Sequence, residues 1–193
     1  MNWQLLINPF TKFSEKTLFV YGIIAAFAGS YLAFLSSATF DGIIDVHLTS
    51  TTCLIDTLKE NTLNIIILSL LLFIYGKKIN SKTRFIDILN SVLLFRIPFY
   101  FVAILVASPS LKNIENEISK NIQSLEKIKI DPNDIGFLLL FSILSIVFLV
   151  YAITLLFQGF KTATNAKTTQ HYIGFGLIIL FAEILSKIIL PLI

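Results

Sequence analysis

Long apolar runs alternate with charged gaps along this chain. Most of these runs reach the roughly 20 residues that a helix needs to cross about 30 Å of hydrocarbon. Because the runs are uninterrupted, they favour helices over a barrel, whose lipid-facing strands would alternate apolar with polar residues. The pattern predicts five transmembrane helices, at about residues 18–40, 61–76, 88–108, 135–160 and 172–193.

The second run, 61–76, is the shortest, and such a run can also be a buried or re-entrant segment. We interpret it as a span that is entered by a polar lead from about Thr51. This lead carries Asp56, Lys59 and Glu60 before the bilayer begins. The charges of the neighbouring gaps support the interpretation.

The gaps alternate in sign, and the cytoplasmic loops of membrane proteins carry an excess of Lys and Arg. Five spans with the N-terminus inside and the C-terminus outside place every basic gap inside, whereas omitting the second span would place the most basic loop outside. The sequence therefore predicts an all-α, polytopic bundle in one domain, 1–193. The basic gaps carry Lys12, Lys16, Lys77, Lys78, Lys82, Arg84, Lys161 and Lys167, and the acidic ones Asp41, Asp45, Asp56, Glu60, Glu115, Glu117, Glu126, Asp131 and Asp134.

Composition agrees with a membrane protein and excludes other classes. Apolar residues make up 55% of the chain, and the mean hydropathy is +0.82, which the surface of a water-soluble domain of this size could not tolerate. We expect the lipid bilayer to be the partner of the basic gaps, and no nucleic acid to bind. The single cysteine, Cys53, excludes an internal disulfide framework and a zinc site made of thiolates.

Two further patterns concern packing. Apolar residues recur at steps of three and four over about 110–130, which predicts an amphipathic helix outside the membrane, lying on the interface, covering the bundle or binding a partner. Small residues at four-residue steps in the first span allow a close helix contact, either inside the bundle or in a homo-oligomer. These small residues are Gly22, Ala25, Ala26, Gly29, Ala33 and Ser37.

Ionisable residues within the predicted spans are candidates for a functional site, because a charge near the bilayer centre costs several kcal/mol unless it has a partner or a water path. Arg96 lies about 12 Å beyond the start of the third span and Glu183 about 16 Å beyond the start of the fifth. We predict that they form a buried pair that fixes the register of the two helices, with Lys187 peripheral and able to snorkel. The alternative is that they line a proton or ion pathway.

Pro98 follows Arg96 by two residues. Proline cannot donate the helical backbone hydrogen bond and tends to kink a helix, which predicts a structural kink or a gating hinge here.

Asp41, Asp45 and His47 lie together in the first acidic gap. Two carboxylates and an imidazole could begin a divalent metal site, but this mixture of oxygen and nitrogen donors is not diagnostic. The simpler interpretation, which we adopt, is a solvated turn after the first helix without a metal.

No catalytic signature is found: the chain contains no HExxH, GxSxG or GxxxxGK[ST] motif. An intramembrane hydrolase would need a facing nucleophile and base, two carboxylates or metal ligands, and the predicted spans offer one carboxylate, Glu183. We therefore expect a protein that is not an enzyme and holds no cofactor.

Two segments resemble a known family. The lead NPFTKF before the first span and the stretch LLFQGFKTATNAKTTQHYIGF between the fourth and fifth spans resemble the bacterial branch of the Yip family, the Rab GTPase-interacting membrane proteins. In eukaryotes, the family implies non-enzymatic integral membrane proteins that associate with small GTPases and with one another. For a bacterial relative, the resemblance implies a five-span, multi-pass protein of the cytoplasmic membrane, without a defined role. Asn8, Pro9 and Phe10 stand where a DLYGP-like motif is expected, so the resemblance does not extend to GTPase binding.

Two functions are compatible with the sequence. The first is a non-catalytic scaffold or accessory subunit for membrane organisation or trafficking-like processes. The second is a small transporter or permease component that uses Arg96 and Glu183 in an ion or proton pathway. A dry contact around these residues would favour the scaffold, and a water-filled cavity would favour transport.

Overall fold

A computed structural model describes residues 6–49, 53–122 and 129–192 of the chain. The protein is all-α, with six helices in the described residues and a hairpin of two very short antiparallel strands. The helices are α1 (Glu15–Leu35), α2 (Leu54–Ile79), α3 (Phe85–Val106), α4 (Pro109–Lys120), α5 (Pro132–Thr164) and α6 (Thr169–Ile189), the strands are β1 (Ala38–Thr39) and β2 (His47–Leu48), and 3-10 turns cover Pro9–Thr11 and Leu190–Leu192.

Five of the helices are long and apolar enough to cross a membrane, by their length and composition: α1, α2, α3, α5, and α6 with its 3-10 extension. This confirms the prediction of an all-α bundle with five spans. It includes the second run, which belongs to a helix of 26 residues, about 39 Å long.

The predicted bounds are wrong at the end of the first span. The sequence placed residues 18–40 in one helix, but α1 ends at Leu35. Ser37 has a left-handed φ of 51°, and the chain then turns into β1. Residues 36–40 carry no charge, so the uncharged run continues past the end of the helix, and Ala38 and Phe40 are buried after the turn.

Two other bounds also differ from the prediction. The polar lead to the second span is helical, because α2 begins at Leu54 and includes Asp56, Lys59 and Glu60. The amphipathic helix α4 is shorter than the predicted 110–130, since it ends at Lys120; residues 123–128 lie outside the described part of the chain.

Local sequence determines where the helices begin. The side chains of Ser14, Ser108, Asp131 and Thr168 accept hydrogen bonds from backbone N–H groups in the first turns of α1, α4, α5 and α6. Such N-caps satisfy amides that have no partner within the helix. Proline also occupies the first position of α4 and α5, where its missing N–H has no cost.

The third span is the centre of the bundle. In its most apolar window, 72% of the residues of α3 are buried, against 11% for α5, which stands at the periphery. α3 packs against α1, α2 and α5, while α6 packs against α2. The wide exposed surface of α5 is formed by large apolar side chains, including Leu139, Ile143, Ile146 and Val150.

Contacts between distant residues define two ends of the bundle. At the end where α1 and α3 begin, Arg84 forms an ion pair with Glu15. At the opposite end, Lys187 forms an ion pair with Asp45. We call the first the basic end, because the basic gaps of the sequence meet there, and the second the acidic end, because the acidic gaps meet there.

Small residues of α1 allow it to approach α3 closely. A Cβ atom added to Gly22 would lie 2.7 Å from Cβ of Leu93, and one added to Gly29 would overlap the ring of Tyr100. Of the two roles predicted for the small-residue face, internal packing is therefore confirmed for these glycines.

We predict that Gly29→Ala lowers the stability of the protein, because the methyl group must displace the buried Tyr100 ring; overpacking of this kind costs about 1–3 kcal/mol. Gly176→Ala is the matched control, since an added Cβ there meets no atom within 4 Å. Thermal unfolding in detergent should show a lower melting temperature for the first variant alone. Equal melting temperatures would contradict the close contact between α1 and α3.

Candidate functional site

The loop after α1 folds back into the acidic end of the bundle. β1 pairs with β2, with Ala38 opposite Leu48. Phe40 and Ile43, between the strands, are both 0% exposed. We call residues 36–49 the inserted loop. The sequence interpretation of a solvated turn is wrong for these apolar positions.

A loop in such surroundings must find partners for its backbone, because an unpaired N–H or C=O away from water costs several kcal/mol. Two side chains of α2 supply partners for the first half of the inserted loop. Glu60 Oε2 accepts hydrogen bonds from Thr39 Oγ1 (2.8 Å) and the Phe40 N–H (2.9 Å). Asn64 Nδ2 donates to the Phe40 carbonyl at 2.6 Å.

Arg96 and Glu183 bind the two ends of one peptide group. Arg96 Nη1 donates to the Ile43 carbonyl at 2.7 Å. The N–H of Ile44, in the same peptide group, donates to Glu183 Oε2 at 2.9 Å. The predicted direct pair is therefore corrected: the two side chains meet at similar depth, but the backbone of the inserted loop lies between them.

Arg96 is 0% exposed and lies near the middle of α3, about 16 Å from its start. Its Nε donates to Asn61 Oδ1 at 3.0 Å. The guanidinium also lies over the rings of Phe40 and Phe99, with its Cζ 4.8 and 5.6 Å from the ring centroids. Such a planar cation combines directional donors with aromatic stacking, which a lysine could not do equally well.

Asn61 connects Arg96 to α1. Its Nδ2 lies 3.0 Å from Ser30 Oγ and 3.2 Å from the Ala26 carbonyl, and it also lies 3.0 Å from the hydroxyl of Tyr100. One amide therefore joins α1, α2 and α3 beside the guanidinium. The polar groups form a network rather than a single pair.

Lys187 lies at the edge of this network, as predicted, but it has specific partners. Its Nζ is 2.6 Å from Asp45 Oδ2 and 3.7 Å from Glu183 Oε1. Gly42 also lies against this carboxylate, and a Cβ added there would overlap Glu183 Oε1. A side chain at this position would have to displace the carboxylate that accepts from the Ile44 N–H.

Asp41, Asp45 and His47, the weak metal ligands of the sequence interpretation, do come together: their potential ligand atoms lie within 4.8 Å of one another. His47 Nδ1 is 3.3 Å from Asp41 Oδ1, and Asp45 is paired with Lys187. A metal ion would have to replace both contacts, so these side chains are better explained as partners of one another.

Pro98 lies inside α3, which continues through it to Val106. The side chain is buried, two residues from Arg96. The predicted kink and hinge stay predictions.

Sequence reasoning missed several residues of the network, namely Glu60, Asn61, Asn64 and Tyr100. The sequence interpretation places Glu60 in the polar lead that precedes the bilayer, although it lies one turn before Asn64 on α2. The available signal was that four of the five positions 60–64 are polar at the start of an apolar run, an arrangement that points to a polar face turned into the bundle.

No family model matches the chain, and no curated protein or solved structure is significantly similar to it.

We predict that exchanging the charges of Arg96 and Glu183 does not restore the folded yield that either single change lowers. Each single change, Arg96→Glu or Glu183→Arg, should cost about 3–5 kcal/mol, because it leaves buried polar groups without partners. The double exchange fails as well, since a carboxylate would then face the Ile43 carbonyl and a guanidinium the Ile44 N–H. Folded yield after detergent extraction measures the outcome.

The matched control is the double exchange Asp45→Lys with Lys187→Asp. These side chains contact each other directly and are partly exposed, so each single change should cost at most about 1 kcal/mol, and the double exchange should recover it. Recovery of folded protein by the double exchange of Arg96 and Glu183 would show instead that their direct attraction is what matters.

Proposed function

We propose that the protein is a non-catalytic integral membrane protein that acts as a scaffold or accessory subunit. The proposal rests on the hydrogen-bond partners of the charged residues in the spanning helices. Arg96 and Glu183 bind the two ends of one backbone peptide group, and Glu60 binds another part of the same loop. Their role is then to hold a loop in place.

A proton or ion pathway would make different use of these groups. A relay needs side chains that exchange partners along a chain of water or polar groups. Arg96 is instead enclosed by Asn61, a backbone carbonyl and two aromatic rings. Moving the Arg96 side chain would leave the Ile43 carbonyl without this hydrogen bond, which opposes a relay in which Arg96 changes partners repeatedly.

The experiment that tests this proposal combines flux with association. Purified protein in liposomes should dissipate an imposed pH or sodium gradient no faster than protein-free liposomes do. Crosslinking in native membranes should recover a defined complex, either a second copy or one other membrane protein. Gradient dissipation that Glu183→Gln abolishes in a folded protein would contradict the proposal, as would recovery of monomer alone.

We also propose that the basic end faces the cytoplasm, by the positive-inside rule, and that the protein is a multi-pass protein of the bacterial cytoplasmic membrane related to the Yip family. The support for the orientation is the separation of charge, with Lys77, Lys78 and Arg84 at one end and Asp41 and Asp45 at the other. The support for the family is the five-span arrangement together with the two segments that resemble it.

The single cysteine tests the orientation directly. Cys53 is exposed and precedes α2 at the acidic end. A membrane-impermeant maleimide should label it in intact cells. In the matched control, Cys53→Ser combined with Ser81→Cys moves the thiol to the exposed turn at the basic end, where labelling should require permeabilised cells. The reverse pattern would contradict the proposed orientation.

A further inference from the structure

The residues before α1 lie along the side of α5. We call residues 6–13 the N-terminal segment. The ring of Phe10 fits against Gly159 of α5, where an added Cβ would lie 2.8 Å from Phe10 Cζ. Four residues earlier, the Leu6 carbonyl accepts a hydrogen bond from the hydroxyl of Tyr151 at 3.0 Å. The N-terminal segment therefore follows α5 from its last turns towards its middle.

These contacts lie deep in the apolar part of α5. Its uncharged run covers residues 135–160 and is followed by Lys161 of the basic end. By helix geometry, Tyr151 lies about 15 Å from Lys161 and about 5 Å from the middle of the run. Val150, next to Tyr151, is 59% exposed. In a spanning helix, an exposed apolar side chain near the middle of the span faces acyl chains, so Leu6 is level with hydrocarbon and not with headgroups.

The depth of Phe10 can be checked on a second helix. Gly159, which contacts Phe10, also lies against Ser91 of α3. Ser91 is about 9 Å from the start of α3 at the basic end. The N-terminal segment has therefore already passed below the first turns of α3 at Phe10, and it continues to Leu6.

The polarity of the N-terminal segment changes with this depth. Leu6 and Ile7, at its deep end, are 44% and 45% exposed. Its first charged residue is Lys12, which is exposed and lies two positions before the N-cap of α1. An amphipathic segment that lies flat on the membrane surface would instead carry charged residues along its whole length.

Backbone at this depth needs hydrogen-bond partners from the protein, because hydrocarbon supplies none. Within the turn, the Pro9 carbonyl accepts from the Lys12 N–H at 3.1 Å, and Pro9 itself has no N–H to satisfy. The Leu6 carbonyl precedes this turn, and its partner is the hydroxyl of Tyr151. The polar side chain in the middle of α5 thus serves the backbone of another segment.

We propose that the N-terminal segment is a re-entrant membrane segment that enters the leaflet at the basic end and contacts acyl chains through Leu6 and Ile7. The hydroxyl of Tyr151 holds it at that depth. The partner of this surface is the lipid leaflet, so the segment is not a docking site for a soluble protein. This inference goes beyond the proposed scaffold function and does not depend on it.

Spin labels measure the depth of the segment directly. The full-length Cys53→Ser protein carries a nitroxide on Leu6→Cys in phosphatidylcholine liposomes, and the accessibility of the label to oxygen is divided by its accessibility to a water-soluble nickel chelate. We expect this ratio to match that of Val150→Cys and to exceed that of Lys161→Cys about tenfold, since oxygen concentrates in hydrocarbon. A ratio equal to that of Lys161→Cys would overturn the proposal and assign the segment to the surface, where a soluble partner could bind it.

The variant Tyr151→Phe tests the hydrogen bond while keeping the ring. We expect the ratio at Leu6→Cys to fall at least about threefold, because a carbonyl without a partner in hydrocarbon favours the headgroup region. Tyr21→Phe is the matched control, since Tyr21 is 67% exposed on α1, and it should leave the ratio unchanged. The ratio at Val150→Cys should stay constant in both variants, which shows that α5 keeps its position. An unchanged ratio at Leu6→Cys in Tyr151→Phe would overturn the proposal.

Discussion

The architecture depends on one peptide group that is held at both ends inside a membrane bundle. The carbonyl of Ile43 accepts from Arg96 and the N–H of Ile44 donates to Glu183, so α3 and α6 are joined through the backbone of the inserted loop. Non-helical backbone is tolerated at membrane depth only where protein groups satisfy it. The buried charges of this protein meet that requirement. Arg96 and Glu183 each bind a backbone group of the loop whose burial without a partner would cost free energy.

Other buried polar side chains also bind the backbone of the inserted loop or hold Arg96 in place. Glu60 and Asn64 serve the first half of the loop, and Asn61 joins the guanidinium of Arg96 to α1. At the acidic end, the loop therefore acts as a packing element, with Phe40 and Ile43 completing the apolar core. The basic end has no comparable insertion between its spans in the described residues, and there Arg84 contacts the carboxylates of Glu15 and Asp87.

Much of the fold follows from the sequence because hydrophobic length and charge placement act locally. The five spans, the segregation of charge and the similar depth of Arg96 and Glu183 could all be predicted from position along the chain. The inserted loop could not, because residues 36–40 carry no charge and so continue the uncharged run of α1. Only the left-handed Ser37, the pairing with β2 and the hydrogen bonds to Glu60 separate them from the helix. For the same reason, the sequence predicts a direct contact between Arg96 and Glu183, whereas the structure has a peptide group between them. The depth of a residue along a spanning helix can be predicted from its position in the sequence. A peptide group that lies between two side chains depends on the tertiary structure and cannot be predicted in this way.

The most direct measurement of this central interaction is hydrogen exchange at the Ile44 amide, by NMR of the protein in lipid nanodiscs. The bond from Ile44 to Glu183 predicts strong protection that Glu183→Gln reduces at least tenfold, while the amides in the middle of α3 remain protected. An Ile44 amide that exchanges as fast as an exposed loop amide in the unmodified protein would contradict the account.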